Sequence, residues 1–378
     1  MNFLNPVDIT IYPGARSELL KYSQGLNVLI FCTEGMLARL NKDNALGGLL
    51  GSRHIQFEHN FTSNPSLKDM MLIADKYFSK EIDAIWGIGG GSTMDVAKIA
   101  SVTLPSRRLN YSLVQLLDQT HLLDEIAPID CFQIPTTAGT GSEVTPFATV
   151  WDYESGLKKS LSHTKMFANK AIIDSEFLNK IPLDIALSTG LDALNQALES
   201  IWNKNSNELT RTIAVKSSVS SLRGLRRLDE LGHDITVADN LAMGSLLAGL
   251  CISQTRTAIC HSISYPLTLK FGMPHGLACA FSMLDVLNFN SALVKDEIDA
   301  IEHALESSSL ESVIFEIFEK YGFYSRIREY MTSTADIVAL LPEMVAPGRA
   351  GNNIRNISDS DLKDVVVKSC LRAFIAEI

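Results

Sequence analysis

The chain has 378 residues, 46% hydrophobic and 20% charged, which is long enough for two domains and a sizeable core. Its net charge of −10 excludes the basic footprint of a nucleic-acid binder, so any anion site must be built locally from arginine, lysine and backbone N–H groups. The start, "MNFLNPVDITIYPGA", lacks a basic segment leading into an apolar run, and no apolar stretch reads as the roughly 18–20 residues a membrane span needs. A cytoplasmic protein without a membrane partner is expected. Cys32, Cys131, Cys251, Cys260, Cys279 and Cys370 are scattered with no C-x-x-C pair, which predicts buried thiols in a reducing compartment.

The first half alternates. "VDITIYPG" predicts a strand and turn, "SELLKYS" a short helix, "NVLIFCT" a buried strand, and "HIQFEHNFTSNPS" a strand running into a loop. "LKDMMLIADKYFSK" has helical spacing, "DAIWGIGGG" is a strand ending in glycines, and "APIDCFQIPTT" is a further strand. Strands alternating with helices predict a parallel sheet with helices on its faces. From Pro182 onward the apolar residues recur at three- and four-residue spacing, as in "IALSTGLDALNQALESIWN" and "ADNLAMGSLLAGLCISQTRTAICHSISYPL". The reading is an α/β domain over 1–181 and an all-α domain over 182–378, closing on a cleft suited to a small molecule.

Two loops carry chemistry in the first domain. "IWGIGGGSTMDVAK" ends a strand in Gly89, Gly90 and Gly91 and opens a helix at once, with Ser92 as a candidate N-cap and Asp95 as its capping-box partner. Glycines there admit a phosphate to backbone N–H groups at a helix N-terminus. The spacing is neither G-x-G-x-x-G nor a P-loop. "IPTTAGTGSEVTPFATV" adds Thr136, Thr137, Thr140 and Ser142 after another strand, and loops at the carboxyl ends of strands in an open α/β sheet gather around a ligand. A polar surface loop is the alternative.

In the second domain, Asp192 and Gln196 share one helix face at i and i+4, either as ordinary polar residues or as part of a metal cage. His261 and His275 lie in "AICHSISYPLTLKFGMPHGLACA", one in an apolar helix and one just after Pro274 at the next helix start. They either converge on one point or are separately satisfied. Arg256, in "SQTRTAICH", is costly inside an apolar segment unless it meets an anion or a carboxylate.

Taken together, "GGGSTMDVAK", "PTTAGTGSE", "GLDALNQALES" and "PHGLACA" resemble, in order and spacing, the iron-containing (metal-dependent) alcohol dehydrogenases over nearly the whole chain. The resemblance implies a Rossmann-like α/β N-terminal domain followed by an all-α metal-binding domain, the dehydroquinate synthase-like architecture. It implies metal ligands at Asp192, His261 and His275, with Gln196 where most members carry histidine, so that either an amide oxygen coordinates or three ligands and a water remain. Tyr265 stands where the family commonly has a histidine near the nicotinamide, and with His275 it is assigned to catalysis. The cofactor is expected to be NADPH or NADH with Fe²⁺ or Zn²⁺. Gly89, Gly90, Gly91, Ser92, Asp95, Thr136, Thr137, Thr140, Ser142 and Lys158 would line its groove. Thr33 aligns with the Asp that binds the ribose 2′-hydroxyl in NAD-preferring members, and a neutral residue there tilts the expectation to NADPH.

Within that family, "LDALNQALESIWN" and "CHSISYPLT" resemble the phosphonoacetaldehyde reductase branch, near sulfoacetaldehyde reductases. The expected reaction is reduction of a small anionic two-carbon aldehyde to its alcohol, with Arg256 holding the anionic group and a homodimer as the assembly. A general short-chain alcohol dehydrogenase, a dehydroquinate synthase-type lyase, and a silent nucleotide-binding protein whose metal site has decayed through Gln196 are the competing readings.

Overall fold

The computed structural model describes residues 3–46, 49, 52–62, 64–154, 157–331, 333–345 and 348–375. The chain forms two compact units. One comprises Asn5–Thr137 and Ser142–Leu178; the other comprises Met1–Leu4, Ala138–Gly141 and Asn179–Ile378.

The first unit is built on a six-stranded sheet of β1 (Asp8–Ile11), β2 (Val28–Phe31), β3 (Ile55–Glu58), β4 (Ala84–Gly89), β5 (Asp130–Pro135) and β8 (Lys170–Ile173). The strand order is β1-β8-β5-β4-β2-β3, and every neighbouring pair is parallel. Residues along β2, β4 and β8 are buried without alternation, as a sheet covered on both faces requires. Leu29, Phe31 and Ile85 enter one core, and Val28, Ile30, Trp86 and Ile88 enter the other. Successive side chains of a strand thus fill opposite layers. β6 (Phe147–Asp152) and β7 (Leu157–Ser162) form a separate antiparallel hairpin, which the sequence reading did not include.

From β2 the chain runs to β3 on one side and returns to β4 on the other. This reversal leaves a crevice at the carboxyl ends of β2 and β4, where open α/β sheets bind ligands. Helix α1 (Glu34–Leu40) follows β2, α2 (Leu67–Tyr77) precedes β4, and α3 (Gly91–Arg108) follows β4.

The described part of the second unit has helices throughout, among them α4 (Leu183–Ile201), α5 (Glu208–Arg226), α6 (Ile235–Thr255), α7 (Ile259–Phe271) and α8 (His275–Ala280). α4, α5 and α6 pack on one another, and α8 packs on α4. That last contact depends on Gly276, where an added Cβ would lie 1.7 Å from the Ser188 carbonyl oxygen. α6 corrects the expectation on membrane spans. It is 21 residues long and apolar enough to cross a bilayer, as is the stretch His275–Leu293. Their apolar windows are 61% and 72% buried within the fold, as for helices at the centre of a bundle.

Candidate functional site

α4 places three polar side chains on one stripe: Asp192, Gln196 one turn on, and Glu199 almost two turns on. All three are buried. Glu199 is fully buried and accepts four hydrogen bonds. Its Oε1 takes the backbone N–H groups of Cys260 (2.5 Å) and His261 (3.2 Å); its Oε2 takes the N–H of Ala258 (2.7 Å) and the His261 ring Nδ1 (2.7 Å). The three N–H groups lie at the start of α7, where no intrahelical carbonyl can serve them. With Nδ1 committed to Glu199 as a donor, Nε2 is left as the lone-pair side of His261. That Nε2 lies 3.3 Å from Asp192 Oδ1.

His275 enters from the first residue of α8, directly after Pro274, as the sequence predicts. Its ring centroid is 5.5 Å from that of His261. Cys279, one turn further along α8 and fully buried, brings Sγ to 3.7 Å from His275 Nε2. Donor atoms of Asp192, His261, His275 and Cys279 all lie within 4.8 Å of one another. Asp192, His261 and His275 therefore converge, and Cys279 joins them although the sequence reading took it for a core thiol. All six cysteines are buried, and none is in a disulfide.

The electrostatics of the cluster are those of a cation site. Burial opposes charge on Asp192, but His261 and His275 outweigh it and hold the carboxyl below the usual carboxylate range. Burial likewise opposes a charged His261, yet Cys279, Glu199 and Asp192 push its imidazole well above the ordinary value. The Cys279 thiol is raised by burial and lowered by both histidines, with a net fall to about 7. The buried Asp192 Oδ1 has His261 Nε2 at 3.3 Å, and Gln196 Oε1, one turn on, is buried with no hydrogen-bond partner among the described residues. Buried oxygens of this kind need a donor or a cation. A set of carboxylate, imidazole, thiol and amide donors fits a divalent first-row metal.

Arg256 corrects a second expectation. It does not continue an apolar helix but ends α6, with φ +62° and ψ 177°. That backbone region is almost reserved for glycine and costs about 1–3 kcal/mol in other residues. Its guanidinium is half-buried; burial first, and then the like charge of Arg349, lower its pKa. Arg349 Nε donates to the Tyr265 hydroxyl at 3.2 Å, and the Tyr265 ring lies over His275 at 6.4 Å with an interplanar angle of 12°. Contacts thus link Arg349 through Tyr265 to the metal-type cluster, and Arg256 lies within electrostatic reach of Arg349. Arg349, 84 residues beyond Tyr265, carried no local signal.

In the sheet unit, Thr33 follows β2 and caps α1, its hydroxyl accepting from the Met36 N–H at 3.2 Å. At the next strand, Gly89 ends β4, and an added Cβ there would meet Thr93 Oγ1 at 2.5 Å. Gly90 caps α3 by its backbone, and Gly91 and Ser92 form the first turn. Thr136 N–H donates to the Gly89 carbonyl (2.9 Å), and Thr137 lies against Gly90. Three loops therefore meet at the carboxyl ends of the adjacent strands β2, β4 and β5, at the point where the strand order reverses.

The capping box does not form. α3 starts earlier than Ser92, and the Asp95 carboxylate is taken by Ser142 Oγ (2.6 Å) and Thr149 N–H (2.8 Å). Asp95 and Ser142 thus tie the second loop to α3. Beside them the buried Lys98 ammonium donates to the carbonyls of Ser142 and Phe147. Lys158 sits on β7, its ammonium 5.4 Å over the Trp151 ring. Thr140 belongs to Ala138–Gly141, the short segment that clusters with the helical unit.

A family model described as "Iron-containing alcohol dehydrogenase" matches residues 6–175, and one described as "Fe-containing alcohol dehydrogenase family, C-terminal" matches residues 186–369. The chain belongs to the iron-containing alcohol dehydrogenase family. It is accordingly an oxidoreductase of the aldehyde reductase and alcohol dehydrogenase kind. Members of this family use NAD(P) and a divalent metal. The chain is 27% identical to "Probable alcohol dehydrogenase EutG" of Escherichia coli over 276 residues, 72% of this chain and 69% of the relative. It is 32% identical to "Phosphonoacetaldehyde reductase" of Streptomyces viridochromogenes over 214 residues, 56% of this chain and 54% of the relative. Among solved structures, sulfoacetaldehyde reductase from Bifidobacterium kashiwanohense in complex with NAD⁺ shares the fold, with a TM-score of 0.83 and 23% identity over 97% of this chain and 98% of the other.

Proposed function

We propose that this dehydrogenase reduces an anionic two-carbon aldehyde, with phosphonoacetaldehyde giving 2-hydroxyethylphosphonate as first choice and sulfoacetaldehyde giving isethionate as second. The observation that carries the reading is Arg349, joined through Tyr265 to His275, with the charge of Arg256 within electrostatic reach of it. Two guanidinium groups within electrostatic reach of each other suit a tetrahedral oxyanion, which each can bind through a fork of N–H donors. The matches to relatives named for these two substrates support the same choice.

Asp192, His261 and His275 hold the divalent cation, and Glu199 fixes the His261 tautomer that allows it. When bound, the cation supplies Lewis-acid polarisation of the carbonyl and NAD(P)H supplies the hydride. Backbone N–H groups at Gly89–Ser92 bind the cofactor pyrophosphate, with Thr136, Thr137, Thr140, Ser142 and Lys158 lining the groove. Arg256 and Arg349 orient the phosphonate or sulfonate. Tyr265, its hydroxyl held by Arg349, gives a proton to the product oxygen. At Thr33 the capping hydroxyl puts no carboxylate against a 2′-phosphate, which favours NADPH, although the exposed Glu34 follows directly. The assembly is proposed to be a homodimer.

The test is an aldehyde panel with NADPH and NADH, using the wild type and Arg256→Ala. KM for phosphonoacetaldehyde and sulfoacetaldehyde should rise by about tenfold or more in the variant, with little change for butanal. Equal losses on charged and neutral aldehydes would remove the anion assignment.

A further inference from the structure

The family pattern leaves one metal position in doubt, because Gln196 replaces an imidazole with a neutral amide. Resting on the metal reading above, we propose that Cys279 is the fourth protein donor of this centre, as a thiolate.

Geometry carries the argument. Cys279 lies four residues after His275 on α8, so both side chains project from one helix face. Four donors at metal bonds of about 2.0–2.3 Å stand roughly 3.3–3.8 Å apart around a tetrahedral ion. Asp192 Oδ1 and His261 Nε2 are 3.3 Å apart, and Cys279 Sγ is 3.7 Å from His275 Nε2. All four donor atoms fall within 4.8 Å of one another. Two side chains come from the helices α4 and α7, and two from α8, so the set closes on its centre from separate directions.

Chemistry decides between Cys279 and Gln196. Gln196 Oε1 is also buried and without a hydrogen-bond partner among the described residues, so it is a real competitor. An amide oxygen is a hard, weak donor, whereas a thiolate is the preferred ligand of Zn²⁺ among protein groups. Binding would release the thiol proton to solvent. One carboxylate and one thiolate then neutralise the dication, where a carboxylate with three neutral donors would leave a net charge of +1. The centre should therefore prefer Zn²⁺ over Fe²⁺, and the aldehyde oxygen would enter as a fifth donor, which zinc accepts.

Cobalt(II) reports both questions at once. The metal-free enzyme is titrated with Co²⁺ and read by absorption: visible d–d bands show cobalt in the site, and a near-ultraviolet thiolate-to-cobalt charge-transfer band shows sulfur bound to it. The wild type is expected to give both at one equivalent. Cys279→Ser should keep the d–d bands, lose the charge-transfer band and bind Zn²⁺ at least ~10-fold more weakly; Gln196→Leu should keep the charge-transfer band. The wild-type spectrum decides even if a variant fails to fold. Cobalt d–d bands without the charge-transfer band overturn the role of Cys279 alone. Failure of the folded wild type to take up one equivalent of Co²⁺ overturns the metal reading beneath it.

Discussion

Glu199→Gln tests whether the orientation of His261 is set from behind. The two carboxylate oxygens serve four donors, two apiece, at 2.5–3.2 Å. A glutamine keeps one acceptor oxygen and turns an NH₂ group on the other pair. If the NH₂ meets the Cys260 and His261 N–H groups, two buried backbone donors are stranded. If it meets Ala258 N–H and His261 Nδ1, one backbone donor is stranded, and the imidazole proton must move to Nε2, the atom that faces Asp192. Each stranded buried donor costs about 1–3 kcal/mol, so the variant should lose roughly 2–4 kcal/mol of stability. Loss of the tautomer adds a ~10–100-fold weakening of metal binding, the usual effect of removing a ligand's outer partner. The assay pairs thermal denaturation with chelator competition for Zn²⁺, and the metal-free variant serves to separate stability from affinity. Wild-type zinc affinity in folded Glu199→Gln would show that the Nδ1 contact does not choose the tautomer, and the account of the centre given above would be wrong at its base.

Glu143 gives a pH signature in the sheet unit. Burial raises its carboxyl from 4.5 to about 7 against the pull of its backbone bond and Lys98. The folded state thus holds the proton more tightly than the unfolded one, so the group's contribution is full below pH 4.5 and lost as pH rises through 7. Glu143→Gln should gain up to about 3 kcal/mol on the wild type between pH 4 and pH 8, seen as a widening difference in urea midpoint; parallel profiles would refute the burial argument. Arg256→Gly should raise Tm by a few degrees, because relief of the left-handed backbone exceeds the extra chain entropy of glycine, while KM for the anionic aldehyde climbs. A drop in Tm would mean that the guanidinium is structural. Gly276→Ala should cost about 3 kcal/mol or more and lower bound zinc, since α8 must move off Ser188 and take His275 with it. Full metal content by elemental analysis would contradict that coupling.

The alternating half was legible because its strands are short apolar runs between turn residues, and Gly89–Ser92 sits where such a turn must. Where local rules failed, a long-range contact had won. The Ser92-to-Asp95 spacing is that of a capping box, but Ser142 and Thr149 claim the carboxylate from 47 and 54 residues away. The hairpin β6–β7 was missed because "LKKSLS" is mostly polar and lacks a buried strand's signature. In the helical unit, the histidine pair and Asp192 could be named, but only the resemblance made them one site. Glu199 was readable as part of the Asp192 stripe, yet a buried carboxylate is an unusual guess without sight of its four donors. Cys279 needed only the i+4 step from His275. It was passed over because an isolated cysteine in an apolar run is ordinarily core.

Asp192 and Glu199 sit on one uninterrupted helix, seven residues and thus about 10.5 Å of axial rise apart. That segment works as a rigid spacer between the carboxylate of the proposed metal centre and the group that aims His261. Such a spacer tolerates exchanges of side chain, as at 196, far better than any change of pitch. The amide protons of residues 192–199 should therefore be among the last in the helical unit to exchange with deuterium, and a proline placed between them should uncouple both ends at a stroke.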